Sequence, residues 1–256
     1  MQQTVADVRI TTSGEGPPIW LLHSLLADAG SCAPLATRLA SDHRVFLPDL
    51  PGFGESAATE PALAAVADRM AAAMTQASGP AIVFGNGYGG FVALTLALRH
   101  PGLVTGLVLA GSAAAFPEAG AAQFRAMAQG ARTKGLGAIA DVAMLRLFPA
   151  AEQALIPEVM AERRARFLAT DLDVFTGACD ALATLDLRQA APSLAMPALV
   201  MAGDGDQATP AALAEELAGL MPRASFRLLE GCAHVPQLQD PDRVAAEIRA
   251  FESRLA

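Results

Sequence analysis

The sequence predicts an α/β fold: a mostly parallel, twisted sheet flanked by helices and interrupted by a helical insertion. Three observations predict it. Short apolar runs alternate with helical stretches through the first part of the chain, only helical patterns occur between residues 112 and 192, and the strand–helix alternation resumes from residue 193. Such alternation implies parallel strands covered on both faces. The expected organisation is a core of residues 1–111 and 193–256 carrying a helical lid, residues 112–192, over the sheet's C-terminal edge.

Taken in order, Val8–Thr12 and Ile19–Leu22 read as strands separated by the turn-rich segment 13–18. Ala33–Ala40 reads as a short helix and Arg44–Leu47 as a strand. Pro61–Ala77 has helical spacing with proline near its start, where a missing N–H costs nothing. Ala81–Phe84 is a strand running into a glycine cluster, and Tyr88–His100 a helix stopped by Pro101. Leu103–Ala110 is the next strand. The insertion contains four helical patterns: Ala121–Arg132, Leu136–Leu147, Glu152–Ala169 and Leu172–Leu185. Beyond it come strand Ala198–Ala202, helix Pro210–Leu220, strand Ser225–Leu229 and helix Arg243–Leu255.

Composition narrows the function. With 53% apolar residues over 256 positions, the chain buries a core and is not disordered. A formal charge of −8 argues against a nucleic-acid partner, which requires a basic stripe. No apolar run reaches the ~20 residues of a membrane span, and the first residues lack the basic end and apolar run of a secretory signal, so the expected compartment is the cytoplasm. Cys32, Cys179 and Cys232 are odd in number and lack metal-ligand spacing, which favours buried free thiols. No metal or organic cofactor is implied; the expected partner is a small-molecule substrate, and oligomeric state is not legible.

The sharpest local signal is the segment Val83–Gly90, VFGNGYGG, in which a strand enters a glycine-rich turn and then a helix. In a nucleophile elbow, G-x-S-x-G, the central residue is a serine lifted above the sheet. Here that position holds Gly87. A dinucleotide-binding turn is the competing reading, but the spacing of glycines departs from G-x-G-x-x-G. Four further segments accompany the elbow: Leu21–Leu25, ending an early strand; Asp49–Ser56, after the following strand; Gly203–Pro210, with the form G-x-x-D-x-x-x-P; and Gly231–His234, with the form G-x-x-H.

These five segments, in this order, resemble the α/β-hydrolase superfamily over essentially the whole chain, and most nearly its esterase and lactonase branch, which includes the 3-oxoadipate enol-lactonases. The stretches Phe167–Asp171, Gly177–Leu182 and Leu185–Arg188 are similar to that branch's lid and exit helix. The lid also departs from it: an Arg-Trp-Phe stretch of such lactonases appears here as Arg146, Leu147 and Phe148, and the only tryptophan is Trp20.

The resemblance implies a role for each residue. His234 is the expected general base and Asp206 the carboxylate that orients it. Asp204 competes for the acid position, but its distance from Pro210 favours Asp206. Leu25 and Tyr88 are the expected backbone donors of an oxyanion hole. Ser24, Asn86 and Arg146 are assigned to substrate, Ser24 also as a substitute nucleophile or a small loop residue and Arg146 as the group that meets an anion. His23 is expected to bond backbone, His43 and His100 to lie at the surface, and Arg163, Arg164 and Arg166 to form a solvated helix face. Without a hydroxyl at residue 87 the acyl-enzyme route through that position is closed. Three readings remain open: an inactivated Ser-to-Gly form of a small-ester or lactone hydrolase, a general-base enzyme (hydrolase or lyase) in which His234 activates water or removes a proton, and a ligand-binding pseudoenzyme.

Overall fold

A computed structural model describes residues 1–148, 150–154 and 156–255. The chain runs β1 (Gln2–Val5), β2 (Val8–Ser13), β3 (Pro18–Leu22), α1 (Ala33–Leu39), β4 (Arg44–Pro48), α2 (Leu63–Ala77), β5 (Ala81–Asn86), α3 (Tyr88–Arg99) and β6 (Val104–Ala110). An all-helical stretch follows: α4 (Glu118–Lys134), α5 (Ala140–Leu147), α6 (Ala150–Gln153), α7 (Pro157–Leu168) and α8 (Leu172–Ala183). The chain returns to the sheet with β7 (Ala198–Gly203), α9 (Ala211–Leu220), β8 (Ala224–Leu229), α10 (Pro236–Gln239) and α11 (Pro241–Glu252).

The strands form one sheet in the order β1-β2-β4-β3-β5-β6-β7-β8. From β4 through β3, β5, β6 and β7 to β8 every pairing is parallel, and β1 and β2 add antiparallel strands at one edge. Apolar side chains pack in two clusters, as expected of parallel strands buried on both faces. Trp20 on β3 stacks on Phe46 of β4 with ring centroids 4.8 Å apart and donates its indole N–H to Ser78 Oγ. All three cysteines are free and buried, as expected.

The short α10 is not among the expected elements, the expected helix Leu136–Leu147 begins as a 3-10 turn before α5, and two larger departures have a clear cause. β1 is a polar edge strand, joined to β2 through Ala6 and Asp7 with φ of 49° and 62°. Such a hairpin turn ordinarily announces itself by Asn-Gly or Asp-Gly, and Ala-Asp does not. The expected helix Glu152–Ala169, of which Leu155 lies outside the described residues, is instead the short α6 followed by α7. Pro157 opens α7 at its first turn, and Ile156 before it leaves the helical region at φ −130°, ψ 49°, because a proline ring disfavours helical geometry in its predecessor. Among the described residues no helix is long and apolar enough to cross a membrane.

Candidate active site

Five neighbouring parallel strands, β3, β5, β6, β7 and β8, end on the same edge of the sheet. The residues that follow them are Ser24 and Leu25, Gly87 and Tyr88, Gly111, Asp206, and His234. Parallel topology thus gathers five distant parts of the sequence at the edge where such sheets bind ligands.

Asp206 and His234 meet there. His234 Nδ1 lies 2.9 Å from Asp206 Oδ2, and both residues are buried. The other carboxylate oxygen, Oδ1, accepts the backbone N–H groups of Ala208 and Thr209, each at 2.8 Å. Asp206 is therefore held through Oδ1 by the backbone, which leaves Oδ2 for the imidazole. Asp204 is spent elsewhere: its Oδ1 accepts the Gly231 N–H at 2.8 Å, pinning the histidine loop. Gly111, which the sequence marked only as a segment boundary, lies directly against the pair. A Cβ there would stand 2.9 Å from His234 Nδ1 and 3.1 Å from Asp206 Oδ2, and its φ of +59° also favours glycine.

Gly87 occupies the elbow, with φ 50° and ψ −116°, immediately before the first residue of α3. A Cβ built on it would meet Ser24 Oγ at 2.7 Å and His234 Nε2 at 2.9 Å. The imidazole edge and the Ser24 hydroxyl thus converge on the space that a side chain at residue 87 would fill. The N–H of Tyr88, as the first residue of a helix, has no intrahelical acceptor, and among the described residues neither it nor the Leu25 N–H has a backbone acceptor elsewhere.

The loop carrying Ser24 and Leu25 is held from behind. Leu50 N–H donates to His23 Nε2 at 2.9 Å, so the ring hydrogen sits on Nδ1, which donates to the Ser24 carbonyl at 2.9 Å. Burial pushes the His23 imidazole below its ordinary pKa and keeps it neutral. Asp49, at the start of the turn after β4, accepts Ala29 N–H on Oδ1 and Glu55 N–H on Oδ2. Ser56 Oγ closes that turn by donating to the Asp49 carbonyl at 2.7 Å. His23 and the Asp49–Ser56 turn therefore support the loop, as expected for His23.

A cavity of about 30 Å³ lies between these residues and the helical insertion. Leu26, Phe91, Phe116, Phe124, Met127 and Leu182 give it apolar walls, and Arg146 reaches its rim. Arg146 donates to Gln123 Oε1 at 2.7 Å, and its guanidinium carbon lies 5.3 Å from the centre of the Phe124 ring. Burial lowers its pKa, and among the described residues it has no carboxylate within ion-pair distance. Tyr88 is buried, with its ring centroid 6.1 Å from that of Phe53.

Three expectations need correction. Asn86 does not face a substrate. It is fully buried, and its amide donates to the backbone carbonyls of Ala110 at 3.1 Å and His234 at 2.8 Å while its oxygen accepts from Gln237. It ties the elbow strand to the histidine loop. Arg163 is 2% exposed, not solvated, and donates to Asp28 Oδ1 at 2.8 Å. Its partner lies 135 positions away in the segment after Leu25, which no helical pattern reveals; Arg164 is half-buried and Arg166 is exposed as expected. His43 is buried, with Nε2 2.7 Å from Glu252 Oε1 on α11.

Comparison with known proteins accords with this geometry. The sequence profile of the alpha/beta hydrolase fold matches residues 17–241. The chain is 30% identical over 253 residues to a pimeloyl-[acyl-carrier protein] methyl ester esterase of Aromatoleum aromaticum, covering 92% of this chain and 93% of that protein. Among solved structures it is similar to the enol-lactonase from Burkholderia xenovorans LB400, with a TM-score of 0.90, 28% identity, and 99% and 100% of the two chains covered. A thermophilic esterase from Thermogutta terrifontis, solved with malate bound, gives a TM-score of 0.89 at 25% identity, covering 99% and 98%.

Proposed function

We propose, because the chain belongs to the alpha/beta hydrolase fold family and is a hydrolase of its esterase and lactonase type, that it hydrolyses a small ester or lactone with His234 as base and with no nucleophile at residue 87. The observation that carries this reading is the convergence of His234 Nε2, 2.9 Å from the Cβ position of Gly87, with the two unpaired N–H groups of Leu25 and Tyr88. A substrate carbonyl oxygen received by those N–H groups presents its carbon to the space above Gly87. His234 removes the proton of the attacking hydroxyl there, Asp206 stabilises the imidazolium through Nδ1, and the backbone donors take up the oxyanion charge. The collapsing intermediate expels an alcohol, or in a lactone the ring's own oxygen, which takes the proton back from His234.

The helices α4–α8 act as the lid. The cavity beneath them, about 30 Å³, is narrow for an ester, and their displacement would widen it for substrate. Arg146, a cation at the rim without a carboxylate partner, favours a substrate with an acidic group beyond the scissile bond; the names of the relatives support the ester and lactone classes.

Assays with p-nitrophenyl esters and small lactones test the reading. His234→Ala is expected to abolish turnover, and Asp206→Asn to cut it by up to about 10⁴-fold. Turnover unchanged in His234→Ala would overturn the assignment of the base. Tight binding of such substrates without any turnover would favour a binding protein instead.

A further inference from the structure

We infer that the first oxygen to attack the substrate is Ser24 Oγ, so that hydrolysis runs through an acyl-enzyme on the loop after β3 instead of on the elbow. The inference rests on the hydrolytic reading above and specifies its nucleophile. Ser24 Oγ stands 2.7 Å, and His234 Nε2 2.9 Å, from the position of a Cβ on Gly87. Glycine at residue 87 therefore leaves a space that the Ser24 hydroxyl and the base already share. Ser24 is 2% exposed and lines the cavity, so its hydroxyl faces a site closed to bulk water. Its backbone is held by the neutral His23, whose Nδ1–H donates to the Ser24 carbonyl.

The placement repeats the logic of the elbow. A nucleophile at residue 87 would directly precede one donor of the hole, Tyr88. Ser24 directly precedes the other, Leu25. A carbonyl oxygen bound by both N–H groups is thus flanked by the residue before each donor, and only Ser24 of the two carries a hydroxyl. At rest no hydrogen bond joins Ser24 Oγ to Nε2; it forms as substrate binds, when catalytic hydrogen bonds commonly tighten.

In the first half-reaction His234 Nε2 takes the Ser24 Oγ proton as Oγ bonds to the carbonyl carbon. The C–O bond to the leaving group then breaks, and the imidazolium returns that proton to the departing oxygen. In the second, His234 deprotonates water, which attacks the acyl carbon. Ser24 Oγ leaves, recovers the proton, and the carboxylic acid is released. Water is the only co-reactant, and no oxidant or reductant is needed.

The test is labelling with diisopropyl fluorophosphate, which phosphorylates an activated serine with loss of fluoride, followed by peptide mass mapping. The label is expected on Ser24, absent in Ser24→Ala and strongly slowed in His234→Ala, with circular dichroism verifying that each variant folds. Ser24→Cys should restore a burst of p-nitrophenolate from p-nitrophenyl acetate, and in Gly87→Ser the label should move to position 87. Absence of label on Ser24 overturns the inference whatever the turnover. If Ser24→Ala also keeps His234-dependent hydrolysis within twofold, water attacks directly and the hydrolytic reading stands. A labelled Ser24 in a chain that turns over no ester or lactone would instead uphold the nucleophile and sink that reading.

Discussion

Gly87→Ser puts a Cβ where Ser24 Oγ lies at 2.7 Å and His234 Nε2 at 2.9 Å, on a backbone with φ of 50°. Both contacts are shorter than a Cβ accepts, so the hydroxyl must rotate and the imidazole must withdraw by several tenths of an ångström. The backbone strain costs about 1–3 kcal/mol. For a chain of this size a loss of that order lowers Tm by roughly 2–4 °C per kcal/mol. Activity should move the other way. Loss of a triad serine costs about 10⁶ in turnover in the protease where it was measured, with ~10³–10⁴ over water left to the oxyanion hole and binding. Against a Ser24→Ala background, in which no other hydroxyl serves, a serine at 87 should recover at least about 10² of that in kcat/KM even with imperfect alignment. Thermal denaturation by circular dichroism and steady-state hydrolysis of p-nitrophenyl butyrate measure the two effects on the same preparation. A folded variant that loses stability as expected yet gains no hydrolysis would refute the claim that Asp206, His234 and the two N–H groups form an acyl-transfer site.

Three other perturbations follow from the same contacts. Asn86→Leu leaves the His234 carbonyl without its donor and the Gln237 amide without its acceptor, while Ala110 keeps the Gly87 N–H, so unfolding free energy should fall by about 1–3 kcal/mol, measured by urea denaturation, and hydrolysis should fall with it as the histidine loop loosens. Arg163→Met leaves the Asp28 carboxylate with only the exposed Arg166 at 3.3 Å, for which a loss of up to about 3 kcal/mol is expected; replacing Asp28 by asparagine in the same chain should return part of it, and additive losses would contradict the pairing. Glu252→Gln concerns pH: the hydrogen bond from Glu252 holds the His43 imidazole above its ordinary pKa, with Asp42 adding to the effect. A raised pKa stabilises the fold below the unfolded value of about 6.5 and ceases to do so as pH rises through the folded value. Glu252→Gln should therefore destabilise by about 1 kcal/mol near pH 5.5 and by progressively less toward pH 9. Equal destabilisation at both ends would exclude the ion pair as its source.

Much of this molecule was legible in its sequence because the relevant forces are local. Strand runs such as Ala198–Ala202 are buried on both faces and read as continuous apolar segments, and the loop residues Asp206 and His234 sit in short motifs anchored by glycine and proline. What escaped depends on partners distant in the chain. Asn86 beside the elbow looks like a residue aimed at substrate until its bond to the His234 carbonyl, 148 positions on, is seen. Arg163 looks like one of a row of surface arginines, and His43 like a turn residue, because Asp28 and Glu252 are brought to them only by the completed fold. Gly111 carried a faint signal, a glycine closing an apolar strand, but its reason is the imidazole–carboxylate pair lying across it.

The bond between Arg163 and Asp28 also bears on how the cavity opens. It anchors α7 to the segment that follows Ser24 and Leu25, and severing a bridge so well shielded is expensive. On the α5 side, Arg146 bonds Gln123 of α4, another helix of the same insertion, and reaches the core through the Ala208 carbonyl at 3.5 Å. The α7 side is thus the more firmly held of the two, and an opening that admits substrate past Arg146 is expected to leave the loop after β3 in place.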